Sequence, residues 1–160
     1  MVLVAAAPGH RPTVADAETR LRLAQLAFAD LPVEVVLDEH AFTVDVVRDR
    51  RFGEAIFVVG ADEGAVFPGW KQPEDVLRWV RLGVGTRSGY PPPDLARYGD
   101  RVLSFGLASP PVSSSEVRER ISRGAPIDDL VPSAVAAAIR EHGLYRGYTD
   151  SAPREDLKRP

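Results

Sequence analysis

The chain has 160 residues, of which 44% are hydrophobic and 27% charged, with no cysteine and a formal net charge of −3. This composition indicates a globular protein and excludes a disulfide framework, a cysteine zinc site and a thiol nucleophile. The acidic balance argues against a nucleic-acid partner, which usually requires a basic face. No apolar run reaches membrane-spanning length, so we expect no membrane partner and a cytoplasmic location.

Short apolar segments alternate with segments of helical periodicity along the chain. The predicted strands are Val2–Ala6, Val33–Leu37, Ala55–Val59, Leu82–Thr86 and Arg101–Gly106. The predicted helices are Ala17–Ala29, Thr43–Arg50, a segment opening at Pro73, one following Ser113, and Pro132–Glu141. Alternation of this kind predicts an α/β fold, a Rossmann-like parallel sheet with helices on both faces. Residues 1–147 are predicted to form this domain, and residues 148–160 a polar, disordered tail.

Side chains with capping chemistry stand at several predicted helix ends. Asp16 and Thr43 are predicted to cap the starts of their helices, and Ser113 with Glu116 has the spacing of a capping box. Gly124 and Gly143 are predicted to end the last two helices, because glycine readily adopts the left-handed conformation found there.

Polar residues follow three of the predicted strands directly. They are Gly60-Ala61-Asp62, Arg87 and the serine cluster Ser113-Ser114-Ser115. In an open parallel sheet, ligands bind at the carboxyl ends of the strands. We therefore expect these residues to converge on one edge and to share a site.

The serine cluster leads into a helix that carries Arg118 and Arg120 in its first turns. Unpaired helix amides, hydroxyls and a guanidinium at that point form a phosphate site. The alternative is an ordinary capped surface helix, because serine-rich caps are common.

Three other candidates also allow a structural interpretation. In one interpretation, Asp62 accepts a hydrogen bond from a ribose hydroxyl or orients a metal-bound water. In the other, it caps a loop. Trp70 stacks on a flat ring, or else covers the core; Trp79, within a helix, is assigned to the core. Arg87 pairs with a phosphate, or else is a solvated loop charge.

The histidines offer no evident catalytic or metal-binding arrangement. His10 and His40 are predicted loop residues without partners at metal-ligand spacing, so no metal site is predicted. The Walker phosphate loop, the dinucleotide glycine fingerprint and a Ser-His-Asp arrangement cannot be identified.

Taken together, these motifs resemble the bacterial nicotinate mononucleotide adenylyltransferases of the nucleotidyltransferase superfamily. Val112–Arg118, with Asp129–Pro132 and Gly143-Leu144-Tyr145, resembles the family's Ile-Ser-Ser-Thr-x-Ile-Arg segment and its closing Leu-Val-Pro … Leu-Tyr helix. Gly60-Ala61-Asp62 with Phe67-x-x-Trp70 resembles its Gly-x-Asp … Phe-x-x-Trp, and Phe42–Val47 resembles its Tyr-Thr-x-x-Thr-Leu. Residues 8–12 resemble its Pro-Pro-His-Lys loop. Ser115, Phe42 and Ser88 replace the family's Thr, Tyr and Pro, and the loop before Phe42 is shortened.

The resemblance implies transfer of AMP from ATP to nicotinate mononucleotide, with release of pyrophosphate, in NAD biosynthesis. It implies that Ser113, Ser114, Ser115 and Arg118 bind ATP and its phosphates, and that Asp62 binds the adenylate ribose. Thr43, Trp70 and Arg87 are implied as substrate-binding residues: Thr43 lines the nicotinate pocket, Trp70 stacks on the pyridine ring and Arg87 lies near the phosphates. Mg²⁺ would accompany ATP.

The family opens with a strand, a Gly-x-Phe-x-Pro-x-His-x-Gly-His loop and a helix, and no segment of the 160 residues matches that loop. No catalytic residue is therefore identified. Either the reading frame begins upstream, which we favour, or the chain is a remnant. In both cases we expect little or no turnover from the 160-residue chain as given. The alternatives are a non-catalytic nucleotide-binding domain and a sister adenylyltransferase for nicotinamide mononucleotide or phosphopantetheine.

Overall fold

The computed structural model describes residues 1–8, 13–86, 92–108 and 112–148. The strands are β1 (Val2–Ala5), β2 (Val35–Asp38), β3 (Ala55–Gly60), β4 (Val80–Thr86) and β5 (Val102–Gly106). The α-helices are α1 (Ala17–Ala27), α2 (Thr43–Arg50), α3 (Ala61–Val66), α4 (Pro73–Trp79), α5 (Ser114–Ser122) and α6 (Ser133–Glu141). Two 3₁₀ segments lie at Phe67–Gly69 and Ala96–Arg101.

These residues divide into two compact units. Within the described ranges, the first unit comprises residues 1–4, 13–37 and 112–148, and the second comprises residues 5–8, 38–86 and 92–108. The expectation of one domain over residues 1–147 stays a prediction, and residues 149–160 of the predicted tail lie outside the described residues.

Parallel strand pairing, the central prediction for the fold, is confirmed. In the three-stranded sheet, β4 lies between β3 and β5 and pairs with both in parallel, with Phe57 opposite Leu82 and Leu82 opposite Val102. β1 pairs with β2: the N–H of Val2 donates to the carbonyl of Glu34, and that of Ala6 to the carbonyl of Asp38, each at 2.7 Å. Partner numbers that rise together are the mark of strands running in the same direction.

The first unit is held together by a cluster beneath the two C-terminal helices. Its buried members are Val117, Ile127, Val135, Ala136 and Ile139, and Leu23 and Leu26 of α1 pack against them. These apolar positions recur at helical spacing on α5 and α6, so the stripe that faces inward is set by the sequence.

The core of the second unit lies on one face of the β3–β4–β5 sheet. Phe67, Leu82 and Val84 are fully buried there. On the opposite face, Ile56 is 49% exposed and Val58 61% exposed. Side chains alternate between the two faces of a strand. Among the described residues, Ile56 and Val58 therefore lie on the more exposed face of this sheet.

Helix α3 was not predicted, because its six residues include Gly64 and give too short a pattern to recognise. Gly64 is required by packing: a Cβ at this position would lie 2.9 Å from Cγ1 of Val84. The close approach of α3 to β4 is a tertiary effect that overrides the low helix propensity of glycine.

Most predicted helix ends are confirmed, and one cap is wrong. Asp16 Oδ1 accepts a hydrogen bond from the N–H of Thr19 at 2.7 Å, and Gly124 and Gly143 have φ of +69° and +59°. Thr43 does not cap α2: it is the first helical residue, and the cap position is held by Phe42, which has no side-chain acceptor. Trp79, assigned to the core, is 36% exposed.

Within the part of the chain that the structure describes, no helix combines the length and apolar character needed to span a bilayer.

Candidate functional site

The start of α5 presents three hydroxyls, as the sequence predicted. Oγ of Ser113 accepts the N–H of Glu116 at 3.1 Å, which confirms the first half of the capping box. Glu116 instead pairs with Arg120, whose Nη2 lies 2.9 Å from its carboxylate. Ser113, Ser114 and Ser115 are all exposed, so their hydroxyls line the outer surface of the first turn.

Arg118 is the cation that turns back toward these serines. Its Nη2 donates to Oγ of Ser115 at 3.2 Å, and its guanidinium carbon lies 5.1 Å from the ring centroid of Tyr148. Its Nε is buried and has no hydrogen-bond partner among the described residues. An unsatisfied buried donor is rare and costly, and it commonly marks the position of a water, an ion or a ligand.

Arg120 lies two residues further along the helix and is bound differently. Its Nη1 reaches both carboxylate oxygens of Asp129, at 2.9 and 2.8 Å, in addition to the contact with Glu116. Arg120 donates these hydrogen bonds to the carboxylates of Asp129 and Glu116, which raises the pKa of Arg120 and lowers the pKa of Asp129. Arg120 is therefore held by two carboxylates, whereas Nε of Arg118 has no partner among the described residues.

A half-buried tyrosine lies beside this helix. Burial raises the pKa of Tyr145, while the charges of Arg118 and Arg20 act in the opposite direction. Tyr145 packs against the cluster that also contains Val117. Helix α5 thus rests on an apolar cluster, although the serines of its first turn are exposed.

Asp62 lies in the second unit, at the second position of α3 rather than in a loop. The carboxylate folds back over the α carbon of Gly60, since a Cβ on Gly60 would lie 2.7 Å from Oδ1 of Asp62. The Gly-x-Asp spacing thus has a physical reason: glycine leaves room for the carboxylate. Asp62 is exposed at the carboxyl end of β3, the edge at which ligands of parallel sheets bind.

Trp70 follows the 3₁₀ segment and is half-buried. Its ring centroid lies 5.2 Å from that of Phe67 and 6.3 Å from that of Phe57, both in edge-to-face geometry. These contacts fix the orientation of the indole through its neighbours. Trp70 is half-buried, and two aromatic neighbours fix its orientation. It can therefore cover the core and still offer a ring face for stacking, so the two interpretations are compatible.

Phe42 and Thr43 lie at the start of α2, which is anchored by the fully buried Val44 and Val47. Nζ of Lys71 lies 4.3 Å from the ring centroid of Phe42 and 3.1 Å from Oδ2 of Asp45. Lys71 directly follows Trp70. Lys71 therefore links the start of α2 to the segment after the first 3₁₀ turn, and the sequence analysis did not select this residue.

His40 also has partners that sequence reasoning missed. Its Nδ1 lies 2.7 Å from Oδ1 of the buried Asp38, and its Nε2 lies 3.7 Å from Oδ2 of Asp49. The Asp38-Glu39-His40 sequence was the available signal. The described residues contain no group of three or more His, Asp or Glu side chains that could hold a metal ion.

Two candidate positions cannot be placed. Arg87 lies outside the described residues, as does the His10 segment of the loop spanning residues 8–12. Of the other candidates, Ser113–Ser115 and Arg118 come together in the first unit. Thr43, Asp62 and Trp70 belong to the second unit.

Comparison with known proteins identifies the class. The profile of the cytidylyltransferase-like family matches residues 1–120. Proteins named "Probable nicotinate-nucleotide adenylyltransferase" match most of the chain. The Dehalococcoides mccartyi protein is 33% identical over 83% of this chain and 74% of its own length. The Thermus thermophilus protein is 33% identical over 91% of this chain and 82% of its own length.

Solved structures agree on the fold. A Plasmodium falciparum nicotinic acid mononucleotide adenylyltransferase complexed with NaAD superposes with a TM-score of 0.68 at 12% identity, over 89% of this chain and 81% of that one. A second structure of that protein, complexed with APC, gives a TM-score of 0.63 at 13% identity, over 82% of this chain and 76% of that one. The chain thus belongs to the cytidylyltransferase-like family and, within it, to the nicotinate-nucleotide adenylyltransferases.

Proposed function

We propose that this protein transfers AMP from ATP to nicotinate mononucleotide in NAD biosynthesis. A phosphate oxygen of the mononucleotide attacks the α-phosphorus of ATP and forms the new P–O bond. The bond from that phosphorus to the bridging β-phosphate oxygen breaks, and pyrophosphate leaves with the electron pair. Such a reaction needs alignment and charge stabilisation more than covalent catalysis.

The observation that carries this proposal is the arrangement at the start of α5. Exposed hydroxyls from Ser113, Ser114 and Ser115 lie beside the guanidinium of Arg118, whose Nε has no partner among the described residues. The helix also offers the positive end of its dipole at this point. In the proposal these groups bind the phosphates of ATP, and a guanidinium can contact two phosphate oxygens at once.

Further binding roles are proposed for residues of the second unit. Asp62 accepts the ribose hydroxyls of the adenylate, Trp70 stacks on the pyridine ring and Thr43 lines the nicotinate pocket. Arg87 binds the nucleotide phosphates. Support for Trp70 comes from its two edge-to-face neighbours, which hold the indole in one orientation and reduce the entropy lost when a ring stacks on it.

Mg²⁺ is proposed to enter with ATP as part of the substrate. The chemistry of the donor set fits this role, because a magnesium ion on a nucleotide takes most of its ligands from phosphates and water. The exposed hydroxyls of Ser114 and Ser115 are the oxygen donors of this helix start that could contact such a complex. The metal would neutralise phosphate charge during the transfer. A cytoplasmic location, as expected from the sequence, belongs to the same proposal.

The test combines calorimetry with ATP and with nicotinate mononucleotide and chromatographic detection of the deamido dinucleotide after long incubation with MgATP. We expect binding of both nucleotides and slow formation of the dinucleotide. Failure to bind either nucleotide would overturn the proposal. Binding of both without any product would instead support the non-catalytic nucleotide-binding alternative.

A further inference from the structure

The turn that follows α6 brings a tyrosine ring to Arg118. Gly143, Tyr145 and Gly147 have left-handed backbone conformations, with φ of +59°, +63° and +76°. The N–H of Tyr148 donates to the carbonyl of Tyr145 at 3.1 Å and closes the turn. The ring centroid of Tyr148 then lies 5.1 Å from the guanidinium carbon of Arg118, a residue 30 positions earlier in the chain.

Tyr145 is the unusual member of this turn. Glycine adopts positive φ at no steric cost, whereas a bulky residue does so only where its surroundings hold it there. Tyr145 packs against the buried cluster that contains Val117 of α5. The packing that holds Tyr145 in its left-handed conformation therefore also determines where Tyr148 lies.

The two arginines of α5 are held by partners of different chemistry. Arg120 donates to the carboxylates of Glu116 and Asp129, which take up its N–H groups and balance its charge. Arg118 has a hydroxyl at 3.2 Å and the half-buried ring of Tyr148 as its neighbours in the described part of the chain. An aromatic ring attracts a cation through its quadrupole and does not take up N–H donors as a carboxylate does. A ring partner thus restrains Arg118 and leaves its charge and its donors for an anion.

We propose that Tyr148 is a positioning residue that holds the guanidinium of Arg118 in place for the phosphates of ATP. This inference rests on the proposed function, in which Arg118 binds those phosphates. A long side chain loses rotamer freedom when it binds a ligand, and a neighbour that restrains it beforehand reduces that loss. The ring of Tyr148 supplies this restraint, and its hydroxyl is not required.

The test measures dissociation constants for ATP by calorimetry on the full chain. Tyr148→Leu keeps apolar bulk beside Arg118 and removes the π face, so ATP affinity should fall roughly three- to tenfold. Tyr148→Phe keeps the ring and should stay within about twofold of the wild type. In an Arg118→Ala background, Tyr148→Leu should cause no further loss, because the tyrosine acts only through Arg118.

Tyr98→Leu is the matched control. The Tyr98 ring makes the same kind of contact in the second unit, where the guanidinium carbon of Arg97 lies 4.6 Å from its centroid. This variant should leave ATP affinity within about twofold of the wild type. A loss as large as that in Tyr148→Leu would overturn the inference, because any lost aromatic contact would then have the same effect.

Three other results would overturn the role of Tyr148 and leave the proposed function standing. They are unchanged ATP affinity in Tyr148→Leu, binding by Tyr148→Phe as weak as that of Tyr148→Leu, and a full additional loss when Tyr148→Leu is combined with Arg118→Ala. A wild-type chain that binds no ATP would overturn both proposals. Circular dichroism melts of each variant separate lost binding from lost folding.

Discussion

The start of α5 and the Phe42–Lys71 region both present polar groups at the surface, but they are built in opposite ways. In α5 the contacts are local: Ser113 caps Glu116, and Arg118 reaches Ser115, three residues away in each case. In the other region, Lys71 and Asp45 meet across 26 residues of chain. The first arrangement depends on one helix turn, whereas the second depends on the packing of the whole second unit.

This difference determines how each region should respond to substitution. A local site loses its ligand when one side chain is removed, and the fold remains. A site assembled by tertiary contacts fails when the scaffold shifts, even if every ligand-binding side chain is intact. The following substitutions test this distinction from the largest expected effect to the smallest.

The largest effect is expected for Arg118→Ala compared with Arg120→Ala. Removal of Arg118 takes away a guanidinium whose buried Nε has no partner in the described part of the chain, so ATP affinity should fall by roughly ten- to a hundredfold. Arg120 is occupied by Glu116 and Asp129, so its removal should leave ATP affinity within about twofold and lower the thermal midpoint slightly. Calorimetry with ATP and thermal melts measure both quantities. Equal losses of ATP affinity in the two variants would mean that Arg118 has no greater part in ATP binding than Arg120, which would contradict the prediction.

Gly64→Ala and Gly60→Ala test the tertiary side of the comparison. A Cβ at Gly64 would lie 2.9 Å from the branched, buried side chain of Val84, so we expect destabilisation of about 1–3 kcal/mol from overpacking. A Cβ at Gly60 would instead meet the end of the Asp62 side chain, which can rotate away. That variant should keep its stability in urea unfolding and lose ATP affinity about threefold, about 0.6 kcal/mol.

The opposite pattern, with Gly60→Ala unstable and Gly64→Ala neutral, would contradict the packing described for α3. If Gly60→Ala changes neither stability nor ATP affinity, the position of the Asp62 carboxylate has no bearing on the nucleotide.

The two regions also show how far the sequence alone could lead. The Ser113 cap and the left-handed ends at Gly124 and Gly143 were predictable, because each depends on chemistry within a few residues of itself. The parallel pairing was predictable from strand–helix alternation. Neither the contact of Lys71 with Phe42 nor the pairing of His40 with Asp38 was identified, although the second lies two residues apart. Loop conformation decides such contacts, and the residue pattern does not encode it.

Errors at the helix starts have the same origin. Thr43 has the side chain of a capping residue, yet α2 begins at Thr43 itself because Val44, Val46 and Val47 must all be buried from the first turn onward. A loop cap was one of the interpretations of Asp62, since the packing of Gly64 on Val84 that accompanies helix α3 cannot be read along the chain. Tertiary packing overrides local propensity at both positions.

The smallest effect concerns the ion pair that supports α5, and it depends on pH. Hydrogen bonds from Arg120 lower the pKa of Asp129 below its ordinary value of 3.8 in the folded chain. A lowered folded pKa contributes stability above the unfolded pKa and loses it as the pH falls through the folded value. Thermal midpoints of wild type and Asp129→Asn should therefore differ by a constant amount at neutral pH and converge below about pH 4.

Asp128→Asn provides the matched control for this pH series. Asp128 pairs with Arg140 at 3.1 Å, on the same loop but with a partner that lies on α6. If Asp129 acts by stiffening α5, only Asp129→Asn should also weaken ATP binding, and by no more than about twofold, because the pair is exposed to solvent. An equal effect of both variants on ATP affinity would show that general surface charge, rather than the ion pair of Asp129 with Arg120, sets the response. ATP affinity at the start of α5 would then depend on charges throughout the first unit. The distinction between a local arrangement in α5 and a long-range one in the Phe42–Lys71 region would no longer hold.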